Sequence, residues 1–458
     1  MIQYENKPVL PVRIKVGWAI GELGIAAYIG LQMAFMLFYC TNVLGIPPAM
    51  AGFALLIPRL LDALTDPLMG ALSDRTRSVL GRRRVYLLIG APLLAVSFAS
   101  VFFVDASLPL AVRVGLLMLL FFASNMAFTI YEVPYSAMAA EMTTDYRERI
   151  NLTGYKMMAA RAGIIIALFV GPLIFRSREN LAEGFQLMGL CAGIFILLTG
   201  LYGFISTKDA PRIDTVAHRF SLKAEYLAII QNRPFGMLWL TFLFQNLAIG
   251  ASATTLIYFL IYVMQLDPAA SGPFLAVGGI AAAVATPVWV YMARALGKRR
   301  AYFLALGGAA LMAGLIAFIS PGMGTILFVL LAIAGAVDAG TQLNPNSMVP
   351  DTVEADELRT GERREGALFG AWGFGRKLGM TFGAFLVSLA LAWVGFQPAV
   401  AELVQPDGAI LGIRLIYAAL PCGLWLSAML MLTRYDLGEA EFNAIKAQLE
   451  ARRGTTPA

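Results

Sequence analysis

The stretch RLLDALTDPLMG, residues 59–70, decides how the chain is read. It sits inside an apolar run that begins near Pro48, yet it carries Arg59, Asp62 and Asp66. Asp62 and Asp66 are four residues apart, so a helix puts both on one face, about one turn from each other. Arg59, three residues before Asp62, shares that face. In a soluble helix these groups would meet water. The rest of the chain argues that water is not the solvent.

Hydrophobic residues make up 59% of the 458 positions and charged residues 14%, against roughly 25% charged in an ordinary soluble domain. Mean hydropathy is +0.72. One very large soluble core would match the totals but not the repetition. Apolar segments of about 20 residues recur along the chain, each long enough to cross a bilayer as a helix. Twelve spans are predicted, near 14–40, 48–74, 84–105, 109–140, 150–175, 184–206, 234–264, 270–295, 299–320, 323–348, 364–395 and 409–433. The expected fold class is therefore an all-α polytopic membrane protein. Residues 1–13 are polar and the first span is too long for a signal core, so it is expected to stay as a helix. Cys40, Cys191 and Cys422 fall within spans and read as small apolar residues, with no disulfide framework implied. The single histidine, His218, lies in a polar loop.

Basic residues alternate along the connections. Lys7, Arg13 and Lys15 precede the first span; Arg75, Arg77 and Arg82 to Arg84 follow the second. Arg147, Arg149 and Lys156 follow the fourth, and Lys208, Arg212, Arg219, Lys223 and Arg233 occupy the middle loop. Arg294 with Lys298 to Arg300, Arg359 with Arg363 and Arg364, and Arg434 with Lys446, Arg452 and Arg453 complete the series. Intervening connections such as TNVLGIPPAM (41–50) and SPGMGT (320–325) carry no charge. The positive-inside rule then places both termini and the middle loop in the cytoplasm of a cell (inner) membrane. The net charge of +6 is a topology signal at that surface, and no nucleic-acid partner is expected.

The polar loop divides the spans evenly. The expected organisation is an N-terminal six-helix half (1–206), a cytoplasmic middle loop (207–233), a C-terminal six-helix half (234–433) and a cytoplasmic tail (434–458). VLGRRRVYLL (79–88) resembles ALGKRRAYFL (295–304), each after the second span of its half. Such a repeat fits transporters that alternate access around a central site. In the tail, Leu437, Phe442, Ile445 and Leu449 among charges predict a short amphipathic helix.

A buried carboxylate in mid-membrane costs at least a few kcal/mol unless it is neutralised. One arginine cannot neutralise two aspartates, so Asp62 and Asp66 point to a further cation, and carboxylate oxygens suit Na⁺, Li⁺ or a proton. The alternative is that Arg59 alone balances them. Thr65 could add an oxygen, and Pro67 could loosen the helix. TIYEVPYSAM (129–138) adds Thr129, Tyr131, Glu132 and Tyr135, with Val133-Pro134 inviting a break. That group suits a hydroxylated solute; the alternative is a Glu132 carboxylate paired with Arg161. FGRKLG (374–379) offers Arg376 and Lys377, one facing the cavity or both reaching for the interface. Glu22 and Asp338 are further acids within spans, and Asn344 and Asn346 around Pro345 suggest an irregular polar patch.

RLLDALTDPLMGALSDRTRSVLGRRR (59–84), YEVPYSAMAAEMTTDYRERINL (131–152) and the segment from DTVEADELRTGERREG (351–366) to FGRKLG together resemble the glycoside–pentoside–hexuronide:cation symporters of the major facilitator superfamily. The resemblance covers nearly the whole chain. It implies the major facilitator fold and a secondary active transporter carrying a sugar, glycoside or hexuronide with Na⁺ or H⁺. It implies Asp62, Asp66 and Thr129 as the cation site, with the two aspartates as the metal ligands. It implies Glu132 and Lys377 at the substrate site, where Glu22, Tyr135, Lys156 and Arg161 are placed with them. It also marks departures: Glu22-Leu23 stands where that family has a Lys-Asp pair, which removes a second sugar-gripping carboxylate, and Ser136 stands where a Trp could stack on a sugar. A lysophospholipid-like amphiphile is the alternative substrate, and an uncoupled facilitator the alternative mechanism. Asp74, Arg75, Arg82 and Glu141 form a proposed cytoplasmic gate.

An intramembrane enzyme would need a nucleophile with a base, or a metal cluster. The lone histidine in a loop and three scattered cysteines exclude it as a reading. No resident cofactor is expected. The partners are a small-molecule substrate and the lipid bilayer, with the protein a monomer.

Overall fold

The computed structural model describes residues 10–143, 145–211, 231–361, 364–398 and 405–454. His218 and the loop cations Arg212, Arg219 and Lys223 lie outside the described residues, as do Lys7 and Arg363. All regular elements among the described residues are helical. In chain order they are α1 (Val12–Phe38), α2 (Pro48–Arg75), α3 (Arg84–Val101), α4 (Leu110–Met142), α5 (Tyr146–Phe175) and α6 (Leu181–Ser206). Then come α7 (Arg233–Tyr258), α8 (Ser271–Leu296), α9 (Lys298–Ile316), α10 (Gly324–Thr360), α11 (Glu365–Trp393), α12 (Asp407–Thr433) and the short α13 (Glu439–Gly454).

Among the described residues, eleven helices are long and apolar enough to cross a membrane. The second predicted span, α2, is not one of them, although its 28 residues exceed the length required. It alone carries Arg59, Asp62, Asp66, Asp74 and Arg75, the charge that made it conspicuous in the sequence. Large apolar side chains face outward along the other helices, among them Leu119, Val284 and Leu311. In a soluble protein such surfaces would be an aggregation liability; here they are what lipid solvates.

The break expected at Pro134 does not occur: α4 runs unbroken through it. Helix α10 also runs regularly through Pro345, where an irregular patch was expected, and through Pro350. Helix α2 likewise continues past residue 67. Packed membrane helices tolerate proline because neighbours re-satisfy the freed backbone groups.

Contacts divide the chain into two compact units. One is Met1–Ala217 with Asp267–Ala276 and Gln397–Leu403; the other is His218–Leu266 with Val277–Phe396 and Val404–Ala458. In the first, α1 is almost wholly buried and packs on α5 and α6. A Cβ at Gly163 of α5 would run into the Leu23 carbonyl of α1, so only glycine permits that approach. In the second, α7 plays the central part against α11 and α12. Its core gathers Phe235, Trp239, Phe242, Trp372 and Trp425.

The internal repeat is visible in backbone geometry. Helix α1 ends in a π-helical turn at Tyr39–Val43, and α7 does the same at Phe259–Val263. Gly81 and Gly297, the shared glycines of the repeated loop, both take the left-handed conformation, at φ 105° and 83°. In the tail, α13 buries Leu449 and half-buries Phe442 and Ile445, the face predicted from their spacing.

Candidate functional site

The first unit assembles two polar clusters on α4. Helices α2 and α4 pack side by side, and this brings Thr129 against the aspartate pair. Thr129 Oγ1 lies 2.9 Å from Asp66 Oδ1 and also hydrogen-bonds Asp62 Oδ1. Asp62 and Thr129 are buried, Asp66 half-buried. A hydroxyl has a single proton to donate, so it can satisfy one of these oxygens at a time. Two carboxylate oxygens thus converge on one hydroxyl proton, an arrangement that a cation or a carboxyl proton between them would relieve.

Arg59 is within electrostatic reach of Asp62, as the sequence alternative supposed, but its side chain also has other partners. Its Nη2 donates to Gln32 Oε1 of α1 at 3.0 Å, and its guanidinium lies over the Phe121 ring at 5.8 Å. Thr65 turns its hydroxyl back onto the Asp62 carbonyl, 2.9 Å away. Gln32 was not singled out in the sequence, because a lone glutamine in an apolar helix carries no pattern.

The second cluster centres on Lys156 of α5. Its Nζ lies 3.3 Å from Glu132 Oε1, 3.4 Å from Glu22 Oε2 and 2.5 Å from Ser136 Oγ. Ser136 in turn donates to Glu132 Oε1 at 2.5 Å. The ammonium sits over the Tyr135 ring at 5.1 Å, a cation–π contact. Tyr135 is held from both sides: it stacks on Trp18 and Tyr131, and its hydroxyl donates to the Trp18 carbonyl at 2.7 Å. The sequence expectation of a missing second carboxylate is met differently, because Glu22 itself reaches the cluster from α1. Arg161 does not join it. It is half-buried and makes no ion pair among the described residues; Lys156 takes the partner role that the sequence offered to Arg161.

At the end of the unit near the repeated loop, Arg83 donates to Asp74 Oδ1 at 2.6 Å and to the Ala137 carbonyl. Arg82 Nε donates to Glu141 Oε1 at 2.9 Å, and Arg83 Nε lies 3.2 Å from the same oxygen. Asp74, Arg82 and Glu141 are thus brought together, but with Arg83 rather than Arg75, which is exposed and forms no ion pair among the described residues. Helix periodicity explains the exchange: Arg75 immediately follows Asp74 and points elsewhere, whereas the turn at Gly81 folds Arg83 back.

In the second unit Lys377 is half-buried and Arg376 exposed on α11. Asp338 accepts from Thr341 Oγ1 at 2.9 Å, and Asn346 accepts from Trp372 Nε1 at 2.9 Å. Lys298 pairs with Asp351 at 2.7 Å, in the loop region equivalent to Arg82 and Arg83.

The family described as MFS/sugar transport protein matches residues 17–439. The chain belongs to that family. It is a multi-pass membrane transporter of the major facilitator fold and not an enzyme. An uncharacterized symporter of Synechocystis is 28% identical, the match covering 96% of each chain. A putative glycoside/cation symporter of Escherichia coli is 26% identical over 97% of this chain and 96% of its own. A glucuronide carrier protein homolog of the same species is 26% identical over 96% of each. Among solved structures, a bacterial homolog of the lysosomal transporter Spinster superposes with a TM-score of 0.67 at 14% identity, covering 99% of this chain and all of that one. The nucleoside transporter NupG superposes with a TM-score of 0.63 at 14% identity, covering 91% of this chain and 98% of that one. At that identity the likeness establishes the fold alone.

Proposed function

We propose that this transporter couples the uptake of a sugar or glycoside to a cation, Na⁺ or H⁺. The observation that carries the reading is the shared Thr129 hydroxyl. It brings one oxygen from each of Asp62 and Asp66 to a single point inside the membrane, where a small cation relieves their repulsion. Glu132, Glu22, Lys156 and Tyr135 form the substrate-binding group, since carboxylates accept from sugar hydroxyls and an ammonium donates to them. Arg161 is set aside from this group. The names of relatives, a glycoside/cation symporter and a glucuronide carrier homolog, support the same substrate chemistry.

Neutralising the aspartate pair favours the substrate-binding arrangement, and by reciprocity substrate favours cation binding. The two six-helix halves then alternate access, with Asp74, Arg82, Arg83 and Glu141 as part of the cytoplasmic gate. Both termini and the middle loop face the cytoplasm.

The test is charge movement in proteoliposomes on adding methyl glycosides of glucose, galactose, xylose and glucuronic acid, and a lysophosphatidylcholine, with and without Na⁺. A glycoside-evoked current that requires Na⁺ identifies Na⁺ coupling; one without Na⁺ identifies protons. Uptake of labelled glycoside independent of both gradients leaves an uncoupled facilitator. A response confined to the lysolipid overturns the sugar reading.

A further inference from the structure

We infer that Ser136 is a positioning residue for the substrate site, fixing the relative placement of Glu132 and Lys156. The inference rests on the proposed role of that pair and adds to it a residue that no substrate chemistry would single out.

The argument is one of polar contacts. Among the described residues, Glu132 is held through Oε1 only, by Ser136 Oγ at 2.5 Å and Lys156 Nζ at 3.3 Å; its Oε2 is buried without a hydrogen-bond partner. No hydrogen bond on the Oε2 side orients the carboxylate. Lys156 Nζ hydrogen-bonds Ser136 Oγ and Glu132 Oε1, and Glu22 Oε2 lies 3.4 Å away as an ion-pair partner. The Ser136 contact is the shortest of these, and the same hydroxyl passes its own proton to Glu132. Ser136 thus accepts from the cation and donates to the anion, bridging at 2.5 Å on each side a pair whose direct hydrogen bond is longer, at 3.3 Å.

Local structure makes this possible. Glu132 and Ser136 are four apart on the unbroken α4, so the hydroxyl stands one turn from the carboxylate on the same face. Lys156 reaches them from α5, its ammonium over Tyr135, whose ring stacks with Trp18 and Tyr131. The aromatic floor fixes where the ammonium rests; the hydroxyl fixes which way it and the carboxylate point. A side chain without a hydroxyl would leave Lys156 one acceptor short and Glu132 with a single contact.

The test measures half-saturation for whichever methyl glycoside of the panel drives the largest current, in Ser136→Ala, Ser136→Thr and Glu132→Gln. Purified protein is compared by size-exclusion profile. Positioning requires that Ser136→Ala raise half-saturation about tenfold, as loss of a hydrogen bond to a charged group does. The maximal rate should change far less, and cation binding measured without glycoside should stay at the wild-type value. Ser136→Thr, which keeps the hydroxyl, should restore glycoside affinity. A half-saturation unchanged in Ser136→Ala, while Glu132→Gln abolishes glycoside response, overturns the positioning role and leaves the substrate site intact. Equal loss in Ser136→Ala and Ser136→Thr also overturns it, by showing that packing and not the hydroxyl matters. An unaltered response in Glu132→Gln, or silence of the wild type to every glycoside, overturns the reading of the site and this inference with it.

Discussion

Lys156 on α5 and Glu22 on α1 meet with Nζ 3.4 Å from Oε2, so the innermost helix of the first unit contributes a charge to the cluster on its neighbours. Glu22 is buried, and the same ammonium serves Glu132. Glu22→Gln removes one of two carboxylates from a single cation. Half-saturation for substrate should rise about tenfold, while cation binding at Asp62 and Asp66 stays unchanged. Glu22→Gln with Glu132→Gln should be less severe than the sum of the two, because both act through Lys156. Uptake kinetics in proteoliposomes give the comparison.

Thr129→Val keeps the shape of the side chain and removes its oxygen from between the two aspartates. The concentration of coupling cation needed for half-maximal uptake should rise at least about tenfold, and Thr129→Ser should retain wild-type behaviour. Asp66→Asn should uncouple or abolish transport. Cation-driven uptake that survives Asp66→Asn would contradict the proposed site.

Arg83→Ala and Arg75→Ala separate two neighbouring arginines. Arg83 is nearly buried and touches Asp74, Glu141 and the Ala137 carbonyl. Its loss strands Asp74, leaves Glu141 to Arg82 alone, and should cost about 3 kcal/mol of stability. Arg75 is exposed, and its replacement should stay within about 0.5 kcal/mol. Thermal unfolding of the detergent-solubilised protein distinguishes them. Equal shifts would remove Arg83 from the ion-pair network.

Gly163→Val tests the packing of α1 on α5. The new side chain meets the Leu23 carbonyl and, 2.9 Å away, the Ala26 Cβ, both set on rigid helix backbone. Overpacking at such a site should cost about 1–3 kcal/mol. Because the crossing lies close to Glu22, a weaker response to substrate should accompany the lower unfolding temperature.

Much of the fold was legible in the sequence because bilayer thickness turns composition into length. Segments of the right apolar length can only be helices, since backbone groups in lipid must be satisfied within the segment. Pro134 of α4 was misread as a break for a related reason: sequence shows the lost donor but not the neighbouring helix that tolerates it. The acid pair was legible because carboxylates have no bland place in an apolar helix, and four-residue spacing fixes their common face.

The sequence by itself determined the helices, the repeat around Gly81 and Gly297, and the presence of Asp62, Asp66 and Glu132 inside the membrane. Tertiary structure alone decided the partners: Thr129 between the aspartates, Arg83 in place of Arg75, Lys156 in place of Arg161, and Ser136 as a link where the sequence showed only a loss. The physical reason is range. Periodicity along one helix is a local property read from spacing, whereas an ion pair between α1 and α5 depends on how closely their glycines allow them to approach.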